Sequence, residues 1–155
     1  MGIGLKSQMA AALKARIELV TIANGYTQNV KTVKFDKIKL NIQDYSDYEL
    51  PAVQIIDLNK IYEQQMSRAK ATWTLAIEIC LRTTEQIGVV DQGTLWDFQD
   101  NVMRAIMAEP QLGLSFVIQC RPTDEVTDLH LQEPNYTAII GLEILYYQPV
   151  TRDIC

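Results

Sequence analysis

The stretch Ala71 to Arg82, ATWTLAIEICLR, constrains this chain more than any other. Trp73, Leu75, Ile77, Ile79 and Leu81 hold odd positions, while Thr72, Thr74, Ala76, Glu78, Cys80 and Arg82 hold the even ones. Successive side chains leave a strand on opposite sides, so this alternation predicts a strand with one face in a core. A helix would scatter the five large apolar groups around its circumference. Burying them is worth roughly 1.5–3 kcal/mol each, on the order of 10 kcal/mol for the face before entropy is counted. At about 3.3 Å per residue the stretch is near 40 Å long, about twice the usual strand. The excess predicts a hairpin that projects beyond the domain's own core.

The other segments fall into place around that strand. Met9, Leu13, Ile17 and Val20 recur at helical spacing and predict a helix from about Lys6 to Ala23, stopped by Asn24-Gly25. From Val30 to Gln43 the pattern is two-fold but slips phase near Asp36-Lys37, which predicts a bulge or bend there. A short strand is expected from Leu50-Pro51 through Leu58. Asn59 to Lys70 reads as a flexible loop or as a hairpin arm whose apolar cover lies on another subunit, with Tyr62, Met66 and Arg68 among polar neighbours. Leu95, Phe98, Val102, Ala105 and Ile106 predict a second helix over Gly93 to Glu109, widened to the side by Trp96 and Met103, with Asp91 or Thr94 as N-cap and Pro110 with Gly113 as stop. Three closing strands are expected: Leu114 to Cys120, Val126 to Gln132, and Thr137 to Gln148. Glu133-Pro134-Asn135 supplies the turn before the last. The expected fold is one α+β domain over residues 1–155, with a loose tail from about 149. It is a mostly antiparallel sheet with two helices on one face, in the order α-β-β-β-α-β-β-β.

At 155 residues with 48% apolar content, a single domain can bury a real core. A net charge of −5 argues against broad contact with nucleic acid or an anionic membrane. No run of eighteen apolar residues occurs, and the opening MGIGLKSQMAAALK lacks the apolar stretch of a secretory signal. Cys80, Cys120 and Cys155 form an odd set without CxxC spacing, which suits a reduced, cytoplasmic protein whose strand cysteines fill apolar space.

Four of the eight lysines, Lys31, Lys34, Lys37 and Lys39, fall in one stretch. They read as a basic strip for phosphate or an acidic partner, or as an edge strand defended by lysine. Asp44, Asp47 and Glu49 lack calcium-loop spacing and read as a solvated turn. His130 is the only histidine, so no multi-histidine metal site or conventional triad is signalled, and no cofactor motif is present. One enzymatic alternative stands: Glu78 and Glu143, each mid-strand in apolar surroundings, acting as a general acid–base pair. That needs neighbouring strands with both carboxylates aimed together. The structural alternative pairs each with Arg82, Arg104 or another subunit.

Several of these stretches together resemble the tail terminator family of long-tailed bacteriophages, including the short tail proteins related to that of phage Mu. They are the opening helix running into Ala23-Asn24-Gly25-Tyr26, ELPAVQI at Glu49 to Ile55, RAKATWTLAIEICLR, WDFQDNVMRAI followed by Pro110-Gln111-Leu112-Gly113, and TAIIGLEILYY. The resemblance covers nearly the whole chain. It implies a non-enzymatic virion protein, assembled in the host cytoplasm, forming a hexameric ring at the head-proximal end of the tail. Its implied partners are itself, the tail tube protein, the neck or head-completion protein and, in tails that have one, the sheath, with DNA passing through the lumen without sequence-specific contact. A neck connector is the closest alternative. On either reading Tyr62, Met66, Arg68, Lys34, Lys37 and Lys39 are the expected interface residues.

Overall fold

A computed structural model describes residues 4–35, 45–65, 68–83, 92–127 and 135–149. The elements are α1 (Leu5–Glu18), β1 (Thr32–Lys34), β2 (Ala52–Gln65), β3 (Arg68–Arg82), α2 (Gln92–Met107), β4 (Val117–Thr127) and β5 (Asn135–Pro149). The five strands form one sheet in the order β1-β2-β3-β5-β4. Every neighbouring pair is antiparallel except β1 with β2. The fold is α+β.

β3 is the central strand, and its odd positions are the middle of the core. Trp73, Leu75, Ile77, Ile79 and Leu81 are buried, as are their neighbours Ala138, Ile140, Leu142, Ile144 and Tyr146 on β5. Both helices pack on this face. Met9, Leu13, Ile17 and Val20 from the first helical segment, and Leu95, Phe98, Val102, Ala105 and Ile106 from α2, join the same cluster. Polar ties fix the helix pair: Arg16 Nε donates to the Ala105 carbonyl at 3.0 Å, and Asn101 Nδ2 donates to Thr27 Oγ1 and Gln28 Oε1.

Several boundaries differ from expectation. α1 ends at Glu18, and a separate 3-10 turn over Ile22–Asn24 leads to Gly25, whose φ of 91° is the conformation glycine tolerates best. Thr94 lies inside α2 and is not its cap; its carbonyl accepts from Gln28 Nε2. Where two strands were expected between Leu114 and Gln132, one strand runs from Val117 to Thr127 through Pro122, and 128–134 lie outside the described residues. Pro122 fits because β4 is an edge strand with register shifts between Val117 and Gln119 and between Pro122 and Asp124. The order with five described strands is therefore α-β-β-β-α-β-β.

The alternation was expected to bury one face. At one end of the sheet the second face is buried too. Tyr45, Leu50, Ala52 and Cys80 make a small cluster there, and Gln54 and Glu78 lie beside it with 2% and 7% exposure. The cover is the segment Tyr45–Leu50. Arg82 holds it by donating to the Tyr45 carbonyl and to Asp47 Oδ1, at 2.9 and 2.8 Å.

Candidate interaction surface

The described residues between Asn59 and Lys70, 59–65 and 68–70, are paired strand, an arm and not a loop. β2 and β3 stay paired from Ala52↔Cys80 out to Gln65↔Arg68, with one bulge between Asp57 and Asn59. β5 follows β3 along the same length, to Arg68↔Pro149. On the helix-bearing face the last core residues are Ala71 and Tyr146, but the ladder continues through Lys70, Ala69 and Arg68. The three strands thus run on past the packed core.

A polar clasp marks where α1 gives out along the arm. Lys6 Nζ donates to Asp57 Oδ2 at 2.6 Å, and Trp73 Nε1 donates to Asp57 Oδ1 at 2.8 Å. Burial pushes the Asp57 carboxyl up, but the Lys6 and Trp73 donors outweigh it and hold the group below the usual aspartate range. Lys60 continues the cover outward, with Nζ 2.9 Å from Gln148 Oε1 and 5.2 Å from the centre of the Tyr146 ring.

Beyond the Tyr45–Leu50 cover, the opposite face carries no described α-helix. Strand register arranges it in rows. Ile61, Thr72, Leu145 and Gln119 form one; Asn59, Thr74, Glu143 and Arg121 the next; Ile56, Ala76, Gly141 and Asp124 a third. Toward the arm this surface opens to solvent, with Ile61 59% exposed; Leu58, at the bulge, is exposed to the same extent. Arg121 grips Glu143 Oε2 through Nε and Nη2 at 3.0 and 2.9 Å.

The expected interface residues separate on this frame. Tyr62 and Arg68 lie on the arm strands, opposite Ala71 and Gln65. Met66, Lys37 and Lys39 fall outside the described residues. Lys34 lies on the edge strand β1, 3.7 Å from Glu49 and over the Tyr45 ring at 5.4 Å. It therefore helps to secure the Tyr45–Leu50 cover. Glu49 also accepts from the Ser46 backbone N–H and hydroxyl, and these donors, with Lys34, hold its carboxyl below the usual range.

The carboxylate pair does not form. β3 and β5 are neighbours and both groups point to the same face, but Glu78 stands opposite Ile139 and Glu143 opposite Thr74. Four residues along the strand separate them by about 13 Å, too far to share a proton or a reacting atom. Glu143 is paired with Arg121, not with Arg82 or Arg104. Arg82 serves the Tyr45–Leu50 cover, and Arg104 stacks on Tyr26 at 5.4 Å. Cys80 Sγ lies 3.9 Å from Glu78 Oε1. Cys80 and Cys120 are buried thiols not joined in a disulfide, and burial pushes Cys120 up to about 12, which suppresses its thiolate. His130 lies outside the described residues.

Sequence reasoning found the arm's polar composition but missed the Asp57 clasp, the Arg121–Glu143 pair and the Tyr45–Leu50 cover. Each joins residues distant in the chain, and only strand register brings them together. No family model matches the chain, and a search of curated proteins finds no match.

Proposed function

We propose that this chain is a structural subunit of a phage tail, forming the ring that caps the head-proximal end of the tail tube and offers the joining surface to the neck. The observation that carries the reading is the three-stranded arm of β2, β3 and β5, which runs past the packed core and exposes Leu58 and Ile61. Extended arms with open strand surface bind by backbone pairing and apolar cover, the chemistry that joins identical subunits in closed rings. The likeness of ELPAVQI, the β3 stretch and the α2 stretch to tail terminators supplies the biological setting.

Binding on this reading makes and breaks no covalent bond. Tyr62 and Arg68 on the arm, with Met66 between them in the sequence, form contacts between subunits or with the tube, while Lys34 acts through the cover that it secures. The acidic balance of the chain suits passage of DNA through a lumen, since like charge keeps the duplex from adhering.

The test is to purify tails made with and without this protein and to image their head-proximal ends with labelled antibody. Capped tubes of uniform length are expected with it, and overgrown or uncapped tubes without it. Tyr62→Ala and Met66→Ala should leave the circular dichroism spectrum unchanged and reduce the fraction of capped tails. Label found on heads that lack tails would move the assignment to a neck connector.

A further inference from the structure

Asn24-Gly25 is the one place in the sequence where an asparagine precedes a glycine. A glycine nitrogen, with no side chain beside it, can attack the amide of a preceding asparagine, which makes this dipeptide the one most prone to spontaneous deamidation. Asn29, Asn41, Asn59, Asn101 and Asn135 are followed by Val, Ile, Lys, Val and Tyr, whose side chains shield the nitrogen. Asn24 and Gly25 are both exposed, so water reaches them.

The folded turn holds the reacting groups apart. Asn24 Nδ2 donates to the Leu19 carbonyl at 2.9 Å, which draws the amide back to the end of α1. The Gly25 N–H, on the atom that would attack, donates to the Ile22 carbonyl at 3.0 Å. Asn24 N–H donates to the Thr21 carbonyl and to Thr21 Oγ1, at 3.1 and 3.3 Å, and Ile22 N–H donates to Asn29 Oδ1 at 2.8 Å. These bonds keep Asn24 in helical backbone, where the Gly25 nitrogen stands off from the Asn24 side-chain carbon. The same turn is ill suited to a reacted residue. Leu19 caps the C-terminus of α1, so its carbonyl lies at the negative end of the helix, and the Asn24 amide satisfies it. A carboxylate in place of that amide loses the donor and brings negative charge to a negative end.

We infer that Asn24 is a site of spontaneous deamidation that the folded turn holds shut, with water as the co-reactant. The Gly25 nitrogen gives up its proton and bonds to the Asn24 side-chain carbon; the bond from that carbon to Nδ2 breaks, and ammonia leaves with the proton. Water then opens the cyclic imide at either carbonyl and leaves aspartate or isoaspartate at position 24. Isoaspartate also adds a carbon to the backbone of a turn that closes through Gly25 at a φ of 91°. Either product loosens the segment from which Tyr26, Thr27 and Gln28 reach Arg104, Asn101 and Thr94 on α2. Reaction waits on opening of the turn and then hinders its closing. The site belongs to the chain alone and does not depend on the tail assignment.

The test incubates the full chain in mildly alkaline buffer, with and without urea that unfolds it, and reads the tryptic peptide Ile17–Lys31 by tandem mass spectrometry. In urea Asn24 is expected to convert ahead of every other asparagine, while Asn29 in the same peptide stays an amide. In the folded chain conversion at Asn24 is expected to be slower by about tenfold or more, because several hydrogen bonds must open before the imide can form. Thr21→Val, which removes the Oγ1 acceptor, should narrow that gap and leave the rate in urea unchanged. Equal rates in the folded and unfolded chain would overturn the protection, and an unreacted Asn24 in urea would overturn the site. Asn24→Asp reproduces one product and is expected to unfold at a lower urea concentration than the unaltered chain; an equal midpoint would overturn the claim that the turn cannot keep it.

Discussion

Ile77 offers the most direct measure of what holds this fold. It is fully buried at the middle of β3, with Ile55 and Ile140 directly across on the neighbouring strands. Ile77→Ala removes three carbons, about 2.4 kcal/mol at roughly 0.8 kcal/mol each. The void cannot close, because the residues lining it are fixed by strand pairing on both sides, and a cavity cost brings the expected loss to about 3–4 kcal/mol. Against a total of about 5–15 kcal/mol for a domain of this kind, that is a large share. Ile61→Ala on the exposed arm is the matched control, with an expected loss of about 1 kcal/mol or less. Urea unfolding followed by Trp73 fluorescence, in a Trp96→Phe background, reads both, since Trp73 is 3% exposed and Trp96 56%. Ile77→Asp should not fold at all, because it buries a carboxylate without a partner. Equal losses for Ile77→Ala and Ile61→Ala would refute the assignment of the core to the odd face.

Three further outcomes follow from the geometry. Because Asp57 titrates lower in the folded chain than in the unfolded one, its contribution is complete at neutral pH and disappears as pH falls through the acidic range; Asp57→Asn should flatten that part of an acid-unfolding curve. Lys34→Met should loosen the Tyr45–Leu50 cover, seen as faster hydrogen exchange in that segment with little change in the thermal midpoint of the whole, because the pair is partly exposed. A Cβ at Gly141 would overlap the Asp124 carboxylate and crowd the Thr123 hydroxyl, both exposed side-chain ends that can turn away, so Gly141→Ala should cost about 1 kcal/mol or less, and Asp124→Ala on top of it should recover part of the loss in the same urea assay.

Helices, central strands and core faces were legible in the residues. The spacing of Met9, Leu13, Ile17 and Val20, and the odd positions of β3 from Trp73 to Leu81, report which side of a local element is dry, and the structure buries each of them. Local periodicity decides that much because a side chain's direction follows from helix or strand geometry alone. Polar composition between Asn59 and Lys70 left loop and arm open, since the residues there suit both; continuous pairing of β2 with β3 chose the arm.

The remaining features come from register, and register is a tertiary quantity. Neighbouring strands and a shared face were the conditions for a Glu78–Glu143 pair, and both are met, but the alignment of β3 with β5 sets the two four residues apart and gives Glu143 to Arg121. Glu78 and Cys80 occupy even positions that alternation alone would expose, and they are buried where the Tyr45–Leu50 cover lies over that end of the sheet. The single β4 through Pro122 depends on its place at an edge, where a residue without an N–H can be tolerated. A linear pattern fixes which way a side chain points; which neighbour it meets depends on how strands slide past one another, and that is settled only when the whole sheet closes on its helices.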